Sequence, residues 1–107
     1  MTFAVKFTPG ARKDLQGIHD YIARNDSIAK ADYVARKVIE EALSFAKAPA
    51  RGAHPAELQA FVRRDYRQVF FKPYRILYKI RGEIIFIAVI ADGRRDMQPL
   101  LARRLTS

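Results

Sequence analysis

The chain has 107 residues, half of them hydrophobic, and a formal net charge of +9. That length and apolar content fit one domain, residues 1–107, with a core of its own and no need for stapling. There is no cysteine, which excludes a disulfide framework, a thiolate zinc site and thiol chemistry. The longest apolar run, Ile84–Ala91, is eight residues, far short of the roughly 20 that cross a bilayer as a helix. The opening MTFAVKFTPGARKD lacks the apolar core of a secretion signal, so a cytoplasmic protein without a membrane role is expected.

The charge is unevenly placed. Residues 1–60 are nearly balanced, whereas 61–81 hold Arg63, Arg64, Arg67, Lys72, Arg75, Lys79 and Arg81 against Asp65 alone. Arg94, Arg95, Arg103 and Arg104 follow near the end, opposed by Asp96. A field of that sign and density suits an acidic partner, either protein or nucleic acid.

In chain order, Phe3, Val5 and Phe7 alternate with Ala4, Lys6 and Thr8, the pattern of a half-buried strand. Thr8-Pro9 reads as a helix start, the hydroxyl capping a free N–H and Pro taking the first helical position. Ala11, Leu15, Ile18 and Ile22 recur at helical spacing and predict an amphipathic helix to about Arg24. After the break Asn25-Asp26-Ser27, capped by Ser27 or Asp26, the stripe Ala31, Val34, Val38, Ala42 and Phe45 predicts a second helix to about Lys47. Two helices joined by so short a break form an antiparallel hairpin. Pro49, Gly52 and Pro55 supply a loop. Val69–Phe71, Tyr74–Ile80 and Ile84–Ala91 then read as strands, with a turn at Arg81-Gly82. The last strand is apolar on both faces, so it belongs in the middle of a sheet. Met97, Leu100, Leu101 and Leu105 predict a short C-terminal helix, with Pro99 in its first turn. The expected class is α+β: an N-terminal strand, a helix hairpin, a mainly antiparallel sheet and a last helix, with the helices on one side of the sheet.

Chemistry-bearing side chains are few. His19 and His54 are the only histidines, one beside a core residue of a helix and one in a loop, and neither stands in a metal-ligand pattern. No metal and no cofactor are expected. The serines lack an acid–base partner in sequence. Arginine remains: Arg67 and Arg75 lie on strands, where an unpaired charge is costly to bury, so each is expected to face solvent or a groove. Tyr66, Tyr74 and Tyr78 lie beside them, and Arg94-Arg95 follow the central strand. Such arginines hold phosphates or carboxylates bidentately. Arg63, Arg67, Tyr74, Arg75, Arg94 and Arg95 are therefore the candidate target-binding residues.

Four segments, in order, resemble the RelE/ParE superfamily of bacterial type II toxins: Phe7-Thr8-Pro9-x-Ala11-x-x-Asp14-Leu15-x-x-Ile18-x-x-Tyr21-Ile22, Tyr66-Arg67, Pro73-Tyr74-Arg75-Ile76-Leu77-Tyr78, and Ile87-x-Val89-Ile90-x-x-x-Arg94-Arg95-Asp96. The resemblance spans nearly the whole chain. It implies a toxin partnered by an acidic antitoxin, with operator DNA reached through the antitoxin complex. RelE-like members cleave mRNA on the ribosome; ParE-like members inhibit DNA gyrase by binding. In the nuclease reading Arg75 and Arg95 match phosphate-holding arginines. The nuclease's paired lysines, however, would fall near Tyr66 and Gln68, its C-terminal tyrosine near Leu101, and no Tyr or His follows Tyr78. Arginine stays charged and moves protons poorly. The resemblance thus favours a ParE-like gyrase inhibitor without catalytic residues, with the mRNA endonuclease as the alternative.

Overall fold

A computed structural model describes residues 2–57 and 65–105. The elements are β1 (Ala4–Phe7), α1 (Pro9–Asn25), α2 (Ile28–Leu43), a 3-10 turn (Ser44–Lys47), β2 (Tyr66–Phe71), β3 (Tyr74–Arg81), β4 (Ile84–Asp92) and α3 (Met97–Leu105). The strand order is β1-β4-β3-β2. β1 runs parallel to β4, while β3 is antiparallel to both β4 and β2. The strand apolar on both faces is indeed an inner one.

Local signals set the helix starts. The Thr8 hydroxyl accepts from the Ala11 N–H at 3.1 Å, and the Ser27 hydroxyl accepts from Lys30 N–H at 3.0 Å. Asp26, the other expected cap, instead pairs with the Lys30 ammonium at 3.5 Å. The regular turns of α2 stop at Leu43 rather than Lys47. There the Ser44 hydroxyl donates to the Glu41 carbonyl at 2.6 Å, a local bond that competes with helix continuation. The tighter turn that follows buries Phe45 against the Tyr78 ring, with centroids 4.5 Å apart. β2 starts three residues before the apolar run suggested, because Tyr66, Arg67 and Gln68 pair with β3 across from Lys79, Tyr78 and Leu77.

The hairpin packs on one sheet face. Ala11, Val38, Ala42 and Phe45 meet Ile76, Tyr78, Ile85, Ile87 and Ile90, with Leu15 and Ile18 packed around them. The C-terminal helix does not join the hairpin on that face. Met97, Leu100, Leu101 and Leu105 of α3 cover Leu77, Val89 and Ala91 on the other. The cause lies in β4. Leu77 pairs with Val89 and Tyr78 with Ile87, leaving Ala88 as an extra residue. This bulge breaks the alternation, so Ala88 and Val89 both belong to the second face while Ile87 and Ile90 stay on the first. An apolar patch that strict alternation would not supply gives α3 its seat.

The bulge also sits where β1 ends. β1 pairs with β4 only as far as Phe7 and Ile87, so the next β4 backbone groups lack a strand partner on that side. Side chains supply it. The Ile90 N–H donates to Asp14 Oδ2 at 3.0 Å, and the Ala88 carbonyl accepts from Arg104 Nη2 at 3.1 Å. Arg104 and Asp14 close on each other bidentately at 2.9 and 3.0 Å. One side chain comes from α1 and the other from α3, so the pair ties the two helical layers together across the sheet edge. Two glycines meet backbone demands elsewhere: Gly82 turns β3 into β4 at φ +60, and Gly52 lies so near the Gln68 carbonyl and Tyr78 hydroxyl that a Cβ would approach them to 2.7 and 2.8 Å.

Asp14→Ala should lower stability by about 1–3 kcal/mol, since it orphans a backbone donor and an arginine. Adding Arg104→Ala should cost much less than a second such penalty. Urea unfolding of the two single variants and the double variant measures this coupling.

Candidate functional site

The predicted arginines divide into structural and exposed ones. Arg63 lies outside the described residues. Arg67 reaches back from β2 to pin the loop before it: Nη1 donates to the Gly52 carbonyl at 2.8 Å and to Ala50 at 3.3 Å. The Tyr78 hydroxyl tightens the same loop, donating to Pro49 and accepting from the Gly52 N–H.

Arg75 departs from expectation most. It does not face solvent; it is 5% exposed. Its Nη1 and Nη2 donate to the two Glu57 oxygens at 2.7 and 2.8 Å. Nε donates to Gln68 Oε1 at 2.7 Å, and Nη2 also contacts Gln68 Oε1. Phe70 lies under the guanidinium at 5.7 Å. Local sequence does not name this partner, because Glu57 is eighteen residues away. A fork–fork pair removes the desolvation argument that placed Arg75 in solvent. The Arg75 hydrogen bonds hold the Glu57 carboxyl below its ordinary value despite the opposing effect of burial.

The exposed group gathers at the end of β4. A groove there is lined by Lys13, Gly17 and Tyr21 of α1, Tyr74 of β3, Asp92 of β4, and Arg94 and Arg95 of the turn that follows. The sequence points to Tyr74, Arg94 and Arg95 but not to Lys13 and Tyr21. The available signal was Lys13, Gly17 and Tyr21 at four-residue intervals, which puts a cation, a bare backbone and an aromatic on one helix face. Tyr21 is 63% exposed. Asp92 organises the turn: its Oδ1 accepts from the Arg94 N–H and Nε, both at 2.9 Å, and its Oδ2 from Nη2 at 2.6 Å. Arg94 bonding lowers the Asp92 pKa. Burial raises that of Tyr74, with Asp92 adding and Arg94 opposing, so the phenol stays neutral and able to donate. Arg95 is exposed and lines the groove. A second shallow groove continues past Tyr21 and Tyr74 to Phe71, Lys72 and Tyr33. Cations interleaved with exposed aromatic rings suit the binding of an acidic surface.

The other titratable groups hold structure. His19 Nε2 lies 2.7 Å from Asp32 Oδ1, joining α1 to α2, and His54 Nδ1 is 3.0 Å from the Tyr66 carbonyl. Among the described residues no group of three or more His, Asp or Glu is placed to hold a metal. No helix of the described residues is long and apolar enough to cross a membrane.

The family description "ParE toxin of type II toxin-antitoxin system, parDE" matches residues 5–97. The chain belongs to the ParE toxin family. Its fold is shared with solved toxins. A chain of the chromosomal ParDE toxin–antitoxin system from P. aeruginosa superposes with a TM-score of 0.73 at 21% identity, covering 85% of this chain and 96% of that one. A chain of a RelBE toxin–antitoxin complex from Mycobacterium tuberculosis gives 0.61 at 22% identity over 86% and 92%. An arginine-substituted mutant of the toxin RelE from E. coli in the free state gives 0.64 at 10% identity over 98% and 99%. At these identities the likeness is one of fold. No curated protein matches the sequence.

Arg75→Ala should cost about 3 kcal/mol, the lower end for breaking a buried pair, because Glu57 is partly exposed and can rehydrate. Arg95→Ala should change stability by less than about 0.5 kcal/mol. Thermal melts of both variants separate a structural arginine from a free one. A depressed carboxylate stabilises the fold above its unfolded value near 4.5 and loses that contribution as pH falls through the lower folded value. Melts taken from about pH 5 to about pH 3 should therefore fall less steeply in Glu57→Gln than in the parent chain.

Proposed function

We propose that this chain is the toxin of a ParE-like pair and acts by binding DNA gyrase, without making or breaking bonds. The observation that carries the reading is the state of Arg75. The residue that a nuclease would use on the scissile phosphate is buried here and bidentately paired to Glu57. Among the described residues, nothing around it suits proton transfer. Glu57 is held below the usual carboxylate range, which makes it a weak base at neutral pH. Gln68 stands where a lysine would be needed, and Phe70 is inert. The match to the ParE toxin description and the fold shared with a ParDE chain support the same reading.

The contact surface, in this reading, is the groove of Lys13, Tyr21, Tyr74, Arg94 and Arg95. It needs complementary charge and shape rather than a transition-state geometry. Toxins of the ParDE and RelBE systems are found with antitoxins. By the same token this chain has a cognate antitoxin, acidic to match a net charge of +9. Operator DNA would be contacted mainly through that complex.

Purified chain should block supercoiling of relaxed plasmid by gyrase. Induced cells should filament, and primer extension should find no codon-positioned cuts in ribosome-bound mRNA. Cuts with undisturbed supercoiling would replace this reading by the RelE-like endonuclease. Arg95→Ala with Lys13→Ala should weaken gyrase inhibition about tenfold or more, since two charged contacts each contribute roughly 1 kcal/mol or more at a desolvated interface.

A further inference from the structure

β1 is an edge strand, and beside it lies a cleft of about 850 Å³, the size of a small-molecule site. Consecutive residues from Val5 to Pro9 line it. Neighbours on a strand point to opposite faces, so the cleft follows the open edge rather than the underside of one face. The helix hairpin supplies the facing wall. Arg12, Leu15, Gln16 and His19 recur at intervals of three and four residues, hence on one face of α1, and Ala35 and Ile39 share a face of α2. The apolar groups of this lining, Val5, Phe7, Leu15, Ala35 and Ile39, are only half-buried.

The charge lies at one end. Lys6 and Arg12 are exposed cations on either side of the turn from β1 into α1. Among the described residues neither has a carboxylate partner, because the acids of the hairpin that lie near are engaged: Asp14 by Arg104, Asp20 by the Gln16 amide and Asp32 by His19. His19 marks the other end, about 10 Å further along α1, where its bond to Asp32 leaves no free cation. A polypeptide strand does not suit this edge. Ala4 and Thr8 direct their N–H groups to Glu83 and Ile87 of β4, and the ladder between them leaves only Val5 and Phe7 facing outward. Before them the Phe3 N–H is taken by the Ala46 carbonyl at 3.1 Å, and after them Pro9 has no N–H. Two residues are too few for a strand. The lining calls instead for a compact molecule, apolar along its body and anionic at one tip.

We propose that this cleft binds a small amphiphilic carboxylate of the medium-chain fatty-acid class. The carboxylate meets Lys6 and Arg12, and the alkyl chain runs between β1 and the hairpin over Leu15 towards Ala35 and Ile39. Apolar surface removed from water drives the binding, and the charged hydrogen bonds at one end fix its direction. The site is separate from the groove of Arg94 and Arg95, which uses another flank of α1, that of Lys13, Gly17 and Tyr21.

The test is isothermal titration calorimetry with dodecanoate, kept below the concentration at which it forms micelles. The parent chain should bind it at one site, and at least tenfold more tightly than octanoate, since each further buried methylene is worth roughly fourfold. Dodecyltrimethylammonium, with the same chain and the opposite charge, should bind at least tenfold more weakly. Lys6→Gln/Arg12→Gln should reduce dodecanoate affinity at least tenfold, and Ala35→Phe, which fills the far end of the cleft, should remove the preference for the longer chain. Lys37→Gln/Lys47→Gln, which takes equal charge from elsewhere on the hairpin, should change affinity less than twofold. Melting curves check that each variant folds. Should the Lys6/Arg12 variant not fold, Lys6→Gln alone replaces it, with a loss of at least threefold. Absence of binding by the parent chain, equal affinity for the ammonium amphiphile, equal loss in the two charge variants, or binding to phosphatidylglycerol vesicles but not to free dodecanoate overturns the proposal. The assay contains neither gyrase nor antitoxin, so its outcome is independent of the target reading.

Discussion

The two helical layers of this fold meet through one ion pair at the edge of one strand. β4 outruns β1, and at the point where pairing stops the Asp14 carboxylate and Arg104 guanidinium take over the free backbone groups while bonding to each other. Without them the body of α1 would meet the sheet through apolar contacts and the Thr8 cap at its start, and α3 would rest on one face of a sheet with an orphaned donor beside it. Partial burial strengthens such a network because each member is satisfied. The bulge at Ala88 is the other half of the same device: it opens the spacing that the two side chains bridge and turns Val89 towards α3.

That arrangement governs what the functional surfaces can be. With the hairpin on one face and α3 on the other, the ground left free among the described residues includes the end of β4, where Tyr74, Arg94 and Arg95 face α1, and the open half of the second face. Arg75 lies between these regions, beneath Gly93, whose Cβ would come within 3.2 Å of its stem. Its fork is filled by Glu57 and Gln68. A guanidinium so committed serves as a cross-tie between β3 and the segment before β2. Chemistry on a phosphate would require that tie to open. Arg75, which the resemblance matches to a phosphate-holding arginine, is thus committed to a buried pair.

Much of the fold is legible in local signals. Thr8-Pro9 and Ser27 mark helix starts through hydrogen bonds that form within three residues, and the two-sided apolarity of 84–91 marks an inner strand. What escapes the sequence depends on distant partners. The side of the sheet that α3 takes rests on a one-residue bulge, and nothing local in Ala88-Val89 announces it. Arg75 reads as an exposed cation until Glu57 comes to it through the fold. Arg67 likewise reads as a site residue until the loop carbonyls of Ala50 and Gly52 are in place. Arg94 and Arg95, one residue apart, are indistinguishable in sequence; the turn gives Asp92 to the first and leaves the second exposed. Lys13 and Tyr21 were missed because an amphipathic helix is read for its apolar stripe.

The most direct test exchanges the Arg75–Glu57 pair for apolar residues of similar size, as Arg75→Met with Glu57→Met. Buried ion pairs replaced in this way usually leave a folded chain. If Arg75 is structural, the folded double variant still arrests growth when induced without antitoxin, to the same extent as the parent chain. A variant that folds with a normal melting curve but no longer arrests growth would place Arg75 in the toxic act and contradict the account.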